Sequence, residues 1–435
     1  MELWIISVAL IAALAALLVA GVWIALTLLG VGWVAMVLFT HSPAGGLMAT
    51  TVWGASTSWA LTALPLFIWM GEILFRTRIS EDMFRGLAPW MAPLPGRLMH
   101  CNVAGCGIFA AISGSSAATA ATIGRITIPE LLKRGYDETM TVGSLAGADT
   151  LGLLIPPSII MIVYGVAADV SIARLFVAGV LPGIMLMLMF SGYIAAWALF
   201  NPHKTPPRDQ FTTLVEKLYS ARHLIPAVLL IGAVIGSIYT GVATPTEAAV
   251  IGVIGALVLA ATSGSLTWRT FHASVMGATK TSCMIAFILA GAAFLTVAMA
   301  FTGVPRIMAQ WIGEQGFAAW QLIAVLTVLY IILGCFIDGI SMVVLTSSVI
   351  LPSVKAAGID LLWFGIFVVL VVEMAQITPP VGFNLFVLQG LTGRDMFYVA
   401  RASLPFFILM VLAVAIIWKY PEIVTYLPGK MFNLS

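Results

Sequence analysis

The chain has 435 residues, of which 61% are hydrophobic and only 9% are charged. A soluble globular domain carries about 25% charged residues, so the composition excludes a soluble protein and predicts an all-α polytopic protein of the lipid bilayer. The net charge of +2 gives no reason to expect a nucleic-acid partner. The four cysteines lack the spacing of metal ligands or disulfides, which favours buried apolar side chains.

The first apolar stretch covers residues 3–39. It has no basic residue ahead of it and no plausible cleavage site, which favours retained membrane structure over a signal peptide. Its length suits two short spans that break near Gly21 or one long tilted span. With Met1 outside, most Lys and Arg residues fall in cytoplasmic loops, as the positive-inside rule requires.

A re-entrant hairpin is predicted for residues 97–134. Both ends of this segment are basic and therefore belong to the cytoplasmic side, while its middle, "AAISGSSAATAATIG", is built from small and hydroxylated residues. The tip falls at residues 113–116. A non-helical turn at membrane depth must be buried in protein or line a wet cavity, because lipid cannot satisfy its free N–H and C=O groups.

The second half of the chain repeats the first. The segment "IPELLKRGYD" (128–137) aligns with "LPSVKAAGID" (351–360), and "LLIPPSII" aligns with "QITPPVGF" at the same unbroken offset. Each half then reads as three spans, a re-entrant hairpin, a broken helix and a last span. Five full crossings in each half would invert the second repeat, whose hairpin tip falls at residues 335–342. Inverted repeats with interrupted helices are typical of secondary transporters.

The Pro-Pro pairs at 156–157 and 379–380 predict one broken helix in each half, since two adjacent prolines remove backbone donors and free carbonyl groups. Freed carbonyls, hairpin hydroxyls and Asp338 form the all-oxygen surroundings that suit an alkali cation. The alternatives are a simple kink at each pair and a helix N-cap at Asp338. Asp149, Glu373 and Gln376 precede the breaks and either complete ion sites or bond to the freed backbone.

Arg125 is the only basic residue that this topology places within the membrane. Its guanidinium either clamps a carboxylate in a bidentate contact or extends to the cytoplasmic surface. Thr378, Ser158 and Asn384 stand at or just beyond the two breaks and are further polar candidates.

Five segments carry a resemblance to a known family: "GCGIFAAISGSSAATAATIG", "AGADTLGLLIPPSIIMIVYG", "ARLFVAGVLPGI", "GVATPTEAAVIG" and "QITPPVGFNLFVLQG". Together they resemble the large membrane subunit of tripartite ATP-independent periplasmic (TRAP) transporters over essentially the whole chain. The resemblance implies a scaffold with a moving transport domain, elevator-type alternating access, Na⁺ as the coupling ion, and a place in the ion-transporter superfamily. The cell location it implies is a bacterial or archaeal cytoplasmic (inner) membrane.

The resemblance also implies site residues and partners. The implied sodium-binding residues are Ser113, Ser115, Ser116, Pro156, Asp338, Ser341 and Thr378. The candidates for contact with the substrate, an organic acid anion, are Arg125, Ser116, Ser158 and Asn384. The implied partners are a small four-span membrane subunit and a periplasmic substrate-binding protein. Because the chain begins at the large-subunit pattern, the small subunit is expected to be a separate polypeptide.

The expected division of the chain has five parts. Residues 1–96 are the scaffold helices of repeat 1, residues 97–200 its hairpin, broken helix and last span, residues 201–223 a cytoplasmic linker, residues 224–318 the scaffold helices of repeat 2, and residues 319–435 its hairpin, broken helix and last span.

Three other functions were weighed. A self-sufficient sodium/carboxylate symporter without a binding protein is the nearest alternative. An intramembrane peptidase would need a base beside Ser115 or a meeting of Asp149 with Asp338, and neither pattern is evident, so no enzyme activity is predicted. A channel normally builds its filter from rings of identical subunits, whereas a repeat within one chain favours alternating access.

Overall fold

The structure is a computed structural model that describes residues 3–431 except 41, 78, 207–212, 305–306, 308–309, 311–317 and 380–381. All secondary-structure elements in the described ranges are helical. Five of these helices are apolar and long enough to cross a membrane, or up to eight spans if each bent helix pair counts as one. The predicted all-α architecture is confirmed.

The chain begins with five helices: α1 (Leu3–Val19), α2 (Ile24–Phe39), α3 (Ala44–Ser56), α4 (Ala63–Phe75) and α5 (Ile79–Met91). The first apolar stretch therefore forms two helices. The break between them lies at Gly21, as expected for two short spans rather than one long tilted span. Gly21 has a φ of 74°, a left-handed conformation that side chains disfavour and glycine adopts at little cost. A second bend, of 50°, lies between α3 and the segment Trp59–Phe75, which begins with a short 3₁₀ turn.

Hairpin 1 consists of α6 (His100–Ser113) and α7 (Ser116–Lys133), joined by Gly114 and Ser115, which we call tip 1. Gly114 ends α6 in a left-handed conformation, and the Ser115 hydroxyl accepts a hydrogen bond from the Ala118 N–H at 3.4 Å. Ser115 is thus the N-cap of α7, the role in which serine is favoured. The turn lies where the sequence predicts it; its depth in the membrane stays a prediction.

A broken helix follows hairpin 1. It comprises α8 (Glu138–Ala148), α9 (Leu151–Leu154) and α10 (Ile159–Ala168), and the long helix α11 (Ile172–Phe200) comes after it. The axis bends by 42° at residues 155–158, which we call break 1. The peptide bond between Pro156 and Pro157 is cis.

The second half opens with α12 (Leu214–Ala221), α13 (Ile225–Tyr239), α14 (Pro245–Thr262) and α15 (Trp268–Thr302). The segment predicted as a linker, residues 201–223, contains α12, which packs against α5. The longest helix, α15, packs against α2, α3 and α4. These helices form one group, and α4 and α15 reach from it to the hairpins.

Hairpin 2 consists of α16 (Ala319–Gly334) and α17 (Gly339–Ala356), joined by residues 335–338, which we call tip 2. The second broken helix comprises α18 (Leu361–Gln376) and α19 (Phe383–Thr392), and we call the described residues between them, 377–379 and 382, break 2. Pro380 of the predicted Pro-Pro pair lies outside the described residues. The chain continues through α20 (Met396–Lys419) and α21 (Glu422–Met431).

The helix bounds repeat along the chain. Helices α7 and α17 are equal in length and lie at the same offset as the repeated sequence segments, and α19 begins one position later than that offset from α10 would place it. The matched glycines, Gly135 and Gly358, both have positive φ after the end of a helix. The matched aspartates, Asp137 and Asp360, both accept backbone hydrogen bonds as N-caps of the next helix. Equivalent residues therefore end and start equivalent helices, whereas inversion across a membrane remains a prediction.

Close backbone packing of hairpin 1 on the broken helix predicts a severe effect of Gly152→Ala. A Cβ atom at Gly152 would lie 2.5 Å from the Cα of Ser116 and 2.6 Å from its N. The backbone must shift to accommodate it, at a cost of about 1–3 kcal/mol. We expect a lower thermal unfolding midpoint (Tm) for the purified variant in detergent.

The matched control is Gly232→Ala in α13, where a Cβ atom would meet nothing within 4 Å. Alanine is favoured over glycine in a helix interior, so this variant should keep or raise Tm. Equal Tm values for the two variants would contradict the packing of tip 1 on α9.

Candidate functional site

Tip 1 lies directly on the first broken helix. The N–H of Ile159, at the start of α10, donates a hydrogen bond to the Gly114 carbonyl at 3.3 Å. Gly114 also approaches the Pro157 carbonyl so closely that a Cβ atom there would lie 2.8 Å from that oxygen. The hairpin therefore supplies a partner for backbone that break 1 frees.

Tip 2 has the same relation to the second broken helix. The Cys335 thiol lies 3.2 Å from the Pro379 carbonyl oxygen in break 2 and 3.3 Å from the Ile331 carbonyl oxygen in α16, and its one proton can be donated to either. A Cβ atom at Gly339 would lie 2.4 Å from Cγ1 of Val372 in α18. Each hairpin thus packs against the break of its own half.

A polar network then joins the two halves. The Ser116 hydroxyl, next to tip 1, lies 2.9 Å from Oε1 of Gln376 and 3.4 Å from Oδ1 of Asn384. The side-chain amide of Asn384 donates to Oδ1 of Asp149 at 3.0 Å. Glu373 accepts a hydrogen bond on Oε1 from the Leu153 N–H at 2.9 Å. We call Ser116, Asp149, Glu373, Gln376 and Asn384 the central cluster.

Four of the five residues of the central cluster are buried, and Gln376 is half-buried. Asp149, Glu373 and Asn384 are 0% exposed, and Ser116 is 2% exposed. One oxygen on each carboxylate, Oδ2 of Asp149 and Oε2 of Glu373, has no hydrogen-bond partner. Buried carboxylate oxygens without partners are costly, so this pair is a candidate site for a positively charged ligand.

The second polar feature is a cavity of about 1130 Å³ between α1, α2, α15 and tip 2. Its wall is mostly apolar, and its charged residues are Lys280 and Asp338. Lys280 stands twelve residues beyond the start of α15, and no ion pair or hydrogen bond of its ammonium group occurs within the described part of the chain. A cavity of this size with a free cation suits a small organic anion.

Most of the chain matches one known protein family. Residues 11–423 match the family model described as the tripartite ATP-independent periplasmic transporter, DctM component. The chain belongs to this family, the TRAP transporter large permeases. It is a multi-pass membrane protein of that family, and the resemblance noted in the sequence is confirmed.

Relatives with described substrates cover most of the permease. A C4-dicarboxylate TRAP transporter large permease, DctM of Pseudomonas aeruginosa, is 33% identical and covers 89% of this chain and 88% of its own length. An ectoine/5-hydroxyectoine TRAP transporter large permease, UehC of Ruegeria pomeroyi, is 34% identical and covers 86% and 87%. An isethionate TRAP transporter permease, DctMQ of Oleidesulfovibrio alaskensis, is 31% identical and covers 95% of the chain and 65% of its own length.

The fold is also similar to a solved structure. The YdaH transporter of Alcanivorax borkumensis aligns with a TM-score of 0.66 over 92% of this chain and 98% of its own, at 13% identity. An identity this low shows a shared fold and no more. The permease therefore has a transporter fold that was established in another protein.

The sodium-binding residues expected from the resemblance fall into two groups in the permease. Near tip 1, Ser113 lies 3.0 Å from the Thr119 hydroxyl, Ser115 caps α7, and Ser116 belongs to the central cluster. Pro156 lies in break 1 beside them. The assignment of sodium to these residues stays a prediction.

The other group lies at tip 2 and break 2. Asp338 caps α17 by accepting hydrogen bonds from Ile340 and Ser341 N–H groups at 3.1 Å, and the Ser341 hydroxyl also donates to it. The capping role considered for Asp338 is therefore observed, and its carboxylate also faces the cavity. Thr378, in break 2, donates to the Met374 carbonyl at 2.8 Å.

The substrate candidates do not share one cavity. Ser116 and Asn384 are hydrogen-bonded to each other inside the central cluster, and Ser158 is buried as the N-cap of α10. Arg125 is exposed on α7. Lys280 is not among the candidates, because the charge pattern alone places it in a cytoplasmic loop. The apolar sequence after it, "TSCMIAFILA", is the available signal that it lies inside a long helix.

The cluster predicts a measurable cost for Ser116→Ala. Losing the hydroxyl removes the donor to the Gln376 amide oxygen and the polar contact with the buried Asn384 amide oxygen, at a cost of about 1 kcal/mol. We expect a lower Tm for this variant. Ser56→Ala is the control, because the Ser56 hydroxyl only bonds to the Val52 carbonyl of its own exposed helix. A Tm equal to that of the control would argue against the network.

Proposed function

We propose that this permease is the large membrane subunit of a sodium-coupled secondary transporter that imports an organic acid anion. A periplasmic substrate-binding protein delivers the anion, a small four-span membrane subunit completes the transporter, and the complex stands in the bacterial inner membrane. Alternating access is of the elevator type. No ATP is consumed, because the inward sodium gradient supplies the free energy.

The observation that carries this proposal is the docking of each hairpin tip on a helix break. Ile159 N–H pairs with the Gly114 carbonyl in one half, and the Cys335 thiol pairs with the Pro379 carbonyl in the other. Broken helices beside hairpin tips place carbonyl and hydroxyl oxygens deep in the molecule. Such oxygens are the ligands that sodium prefers, so sodium would bind where each tip meets its break.

The elevator mechanism is supported by the way the helices group. Helices α2, α3 and α4 pack against α15, and α14 packs against α4, while α8, α18, α20 and the hairpins pack with one another. The groups meet where α4 packs on α6 and α15 packs on α17. These two contacts are the surfaces along which a transport domain would slide.

The cavity and the relatives both support an organic acid anion as the substrate. The named substrates of the relatives are C4-dicarboxylates, isethionate and ectoine. An organic acid anion in this permease would sit in the cavity beside tip 2, with Lys280 as its counter-charge.

The test is uptake of a labelled C4-dicarboxylate panel into proteoliposomes that hold this chain and its small subunit. Uptake should require both an inward sodium gradient and the binding protein. Asp338→Asn should raise the sodium concentration for half-maximal uptake by about tenfold, because the ion loses a charged ligand worth about 1.4 kcal/mol. Asparagine is also a good N-cap, so folding should be retained.

The control for that variant is Asp395→Asn. Asp395 caps α20 in the same way, by accepting from the Phe397 N–H at 3.0 Å, but it stands away from the tips and breaks. Its sodium dependence should match that of the unchanged protein. Uptake without the binding protein would favour the self-sufficient symporter, and uptake without sodium would refute the coupling.

A separate experiment tests Lys280 as the counter-charge of the substrate. Lys280→Gln should raise KM for the organic acid about tenfold or more, since a charged hydrogen bond contributes about 1.5–3 kcal/mol. The matched control is Lys355→Gln, at the exposed end of α17. If both variants keep the KM of the unchanged protein, the anion does not bind at Lys280.

A further inference from the structure

Two carboxylates lie together in the centre of the permease without a basic partner. Asp149 and Glu373 are both 0% exposed, and Glu373 accepts a hydrogen bond from Leu153 in α9, the short helix that begins two residues after Asp149. None of the ion pairs found in the described ranges involves either residue. Their polar partners are neutral: the Asn384 amide for Asp149, and the Leu153 N–H and the Ser116 hydroxyl for Glu373.

Neutral donors compensate only part of this charge. Each carboxylate uses one oxygen for its hydrogen bond, and the other oxygen, Oδ2 of Asp149 or Oε2 of Glu373, is buried without a partner. Two like charges in a dry interior are strongly unfavourable unless an opposite charge lies between them. The geometry therefore leaves two carboxyl oxygens without partners on neighbouring segments, and none of the described basic residues pairs with them.

We propose that Asp149 and Glu373 hold a sodium-sized monovalent cation between them, at a site separate from the two hairpin tips. The identification of the ion as sodium rests on the proposed sodium coupling, whereas the site itself rests on the buried oxygens. The amide oxygens of Gln376 and Asn384 and the Ser116 hydroxyl, all in the central cluster, are the neutral oxygens available beside it.

The chemistry favours a monovalent ion over a divalent one. Mg²⁺ keeps several water molecules in its coordination shell, and a site without solvent exposure offers them no room. Ca²⁺ takes six to eight oxygens, more than the two free carboxylate oxygens and the few neutral ones supply. Sodium is satisfied by fewer oxygens and leaves the pair with a single net negative charge.

The position of the pair gives the cation a mechanical role. Asp149 lies just before α9, and Glu373 lies in α18, so the two ligands come from the broken helices of opposite halves. The Leu153 N–H already bonds to Glu373 across the same junction. A bound cation would hold the two broken helices together, and its loss would let them repel.

The experiment measures Tm of the purified full chain in sodium buffer and in N-methylglucamine buffer. The unchanged protein should have a higher Tm with sodium, because a ligand of the folded state stabilises it. Glu373→Gln removes the repulsion, so its Tm without sodium should exceed that of the unchanged protein, while part of the sodium-dependent rise is lost. Asp149→Asn is the second variant and should behave in the same way.

Equilibrium binding of ²²Na⁺ to the same proteins measures the number of sodium ions bound per chain. Each variant should bind about one ion per chain fewer than the unchanged protein, whereas Asp395→Asn should bind as many. The proposal would be overturned if the Glu373→Gln and Asp149→Asn variants both retained full sodium binding. Infrared difference spectroscopy of the unchanged protein is an independent test. Adding sodium should shift its carboxylate bands. A protonated carboxyl band that persists in sodium would show that the pair shares a proton instead of a cation.

The outcome is distinct from that of the proposed function. Asp338→Asn alters the site at tip 2 and should leave the ion at Asp149 and Glu373 in place. Full ²²Na⁺ binding in the two cluster variants, together with sodium-driven uptake, would remove this site and keep the coupling. If uptake does not depend on sodium but the cluster variants bind one ion fewer, the site at Asp149 and Glu373 is supported and the proposed sodium coupling is refuted.

Discussion

The fold depends on one constraint: backbone groups that a helix break sets free in an apolar chain must find partners inside the protein. Lipid offers none, and each unpaired group would cost several kcal/mol. Hairpin tips provide them here, as the Ile159 N–H on the Gly114 carbonyl shows in one half and the Cys335 thiol on the Pro379 carbonyl shows in the other. Tips and breaks therefore come as pairs, and each requires the other.

The two tips nevertheless have different surroundings. Beside tip 1, Ser116 is sealed against Gln376 and Asn384 of the opposite half, so the polar groups there face one another. At tip 2, Asp338 faces a cavity that it shares with Lys280 of α15. One junction thus ties the two halves together, and the other borders on the helices that surround them. In the proposed mechanism, the first junction would be a rigid joint within the transport domain, and the second would leave space beside it.

Much of this could be predicted from the sequence, because the signals were local. Paired prolines, a serine-rich turn between apolar runs and a repeated Gly-x-Asp motif placed the breaks, tip 1 and the helix starts at Asp137 and Asp360. The central cluster was less accessible, since Asp149 and Asn384 lie far apart in the sequence and only the fold brings them together. Lys280, the proposed counter-charge of the substrate, was not predicted from the sequence, because a single charge in a long apolar segment indicates the end of a span.

The constant spacing of the repeated helices limits how the protein can change in length. Helices α7 and α17 are equal in length and keep the offset of the sequence repeat, whereas α19 starts one position later than that offset from α10, so the extra position falls around the breaks. An inserted residue inside a helix would turn everything beyond it by about 100°, away from its partners. We therefore expect relatives of this protein to carry insertions and deletions only at the breaks and in the outer loops. Within the paired helices they should differ by substitutions alone.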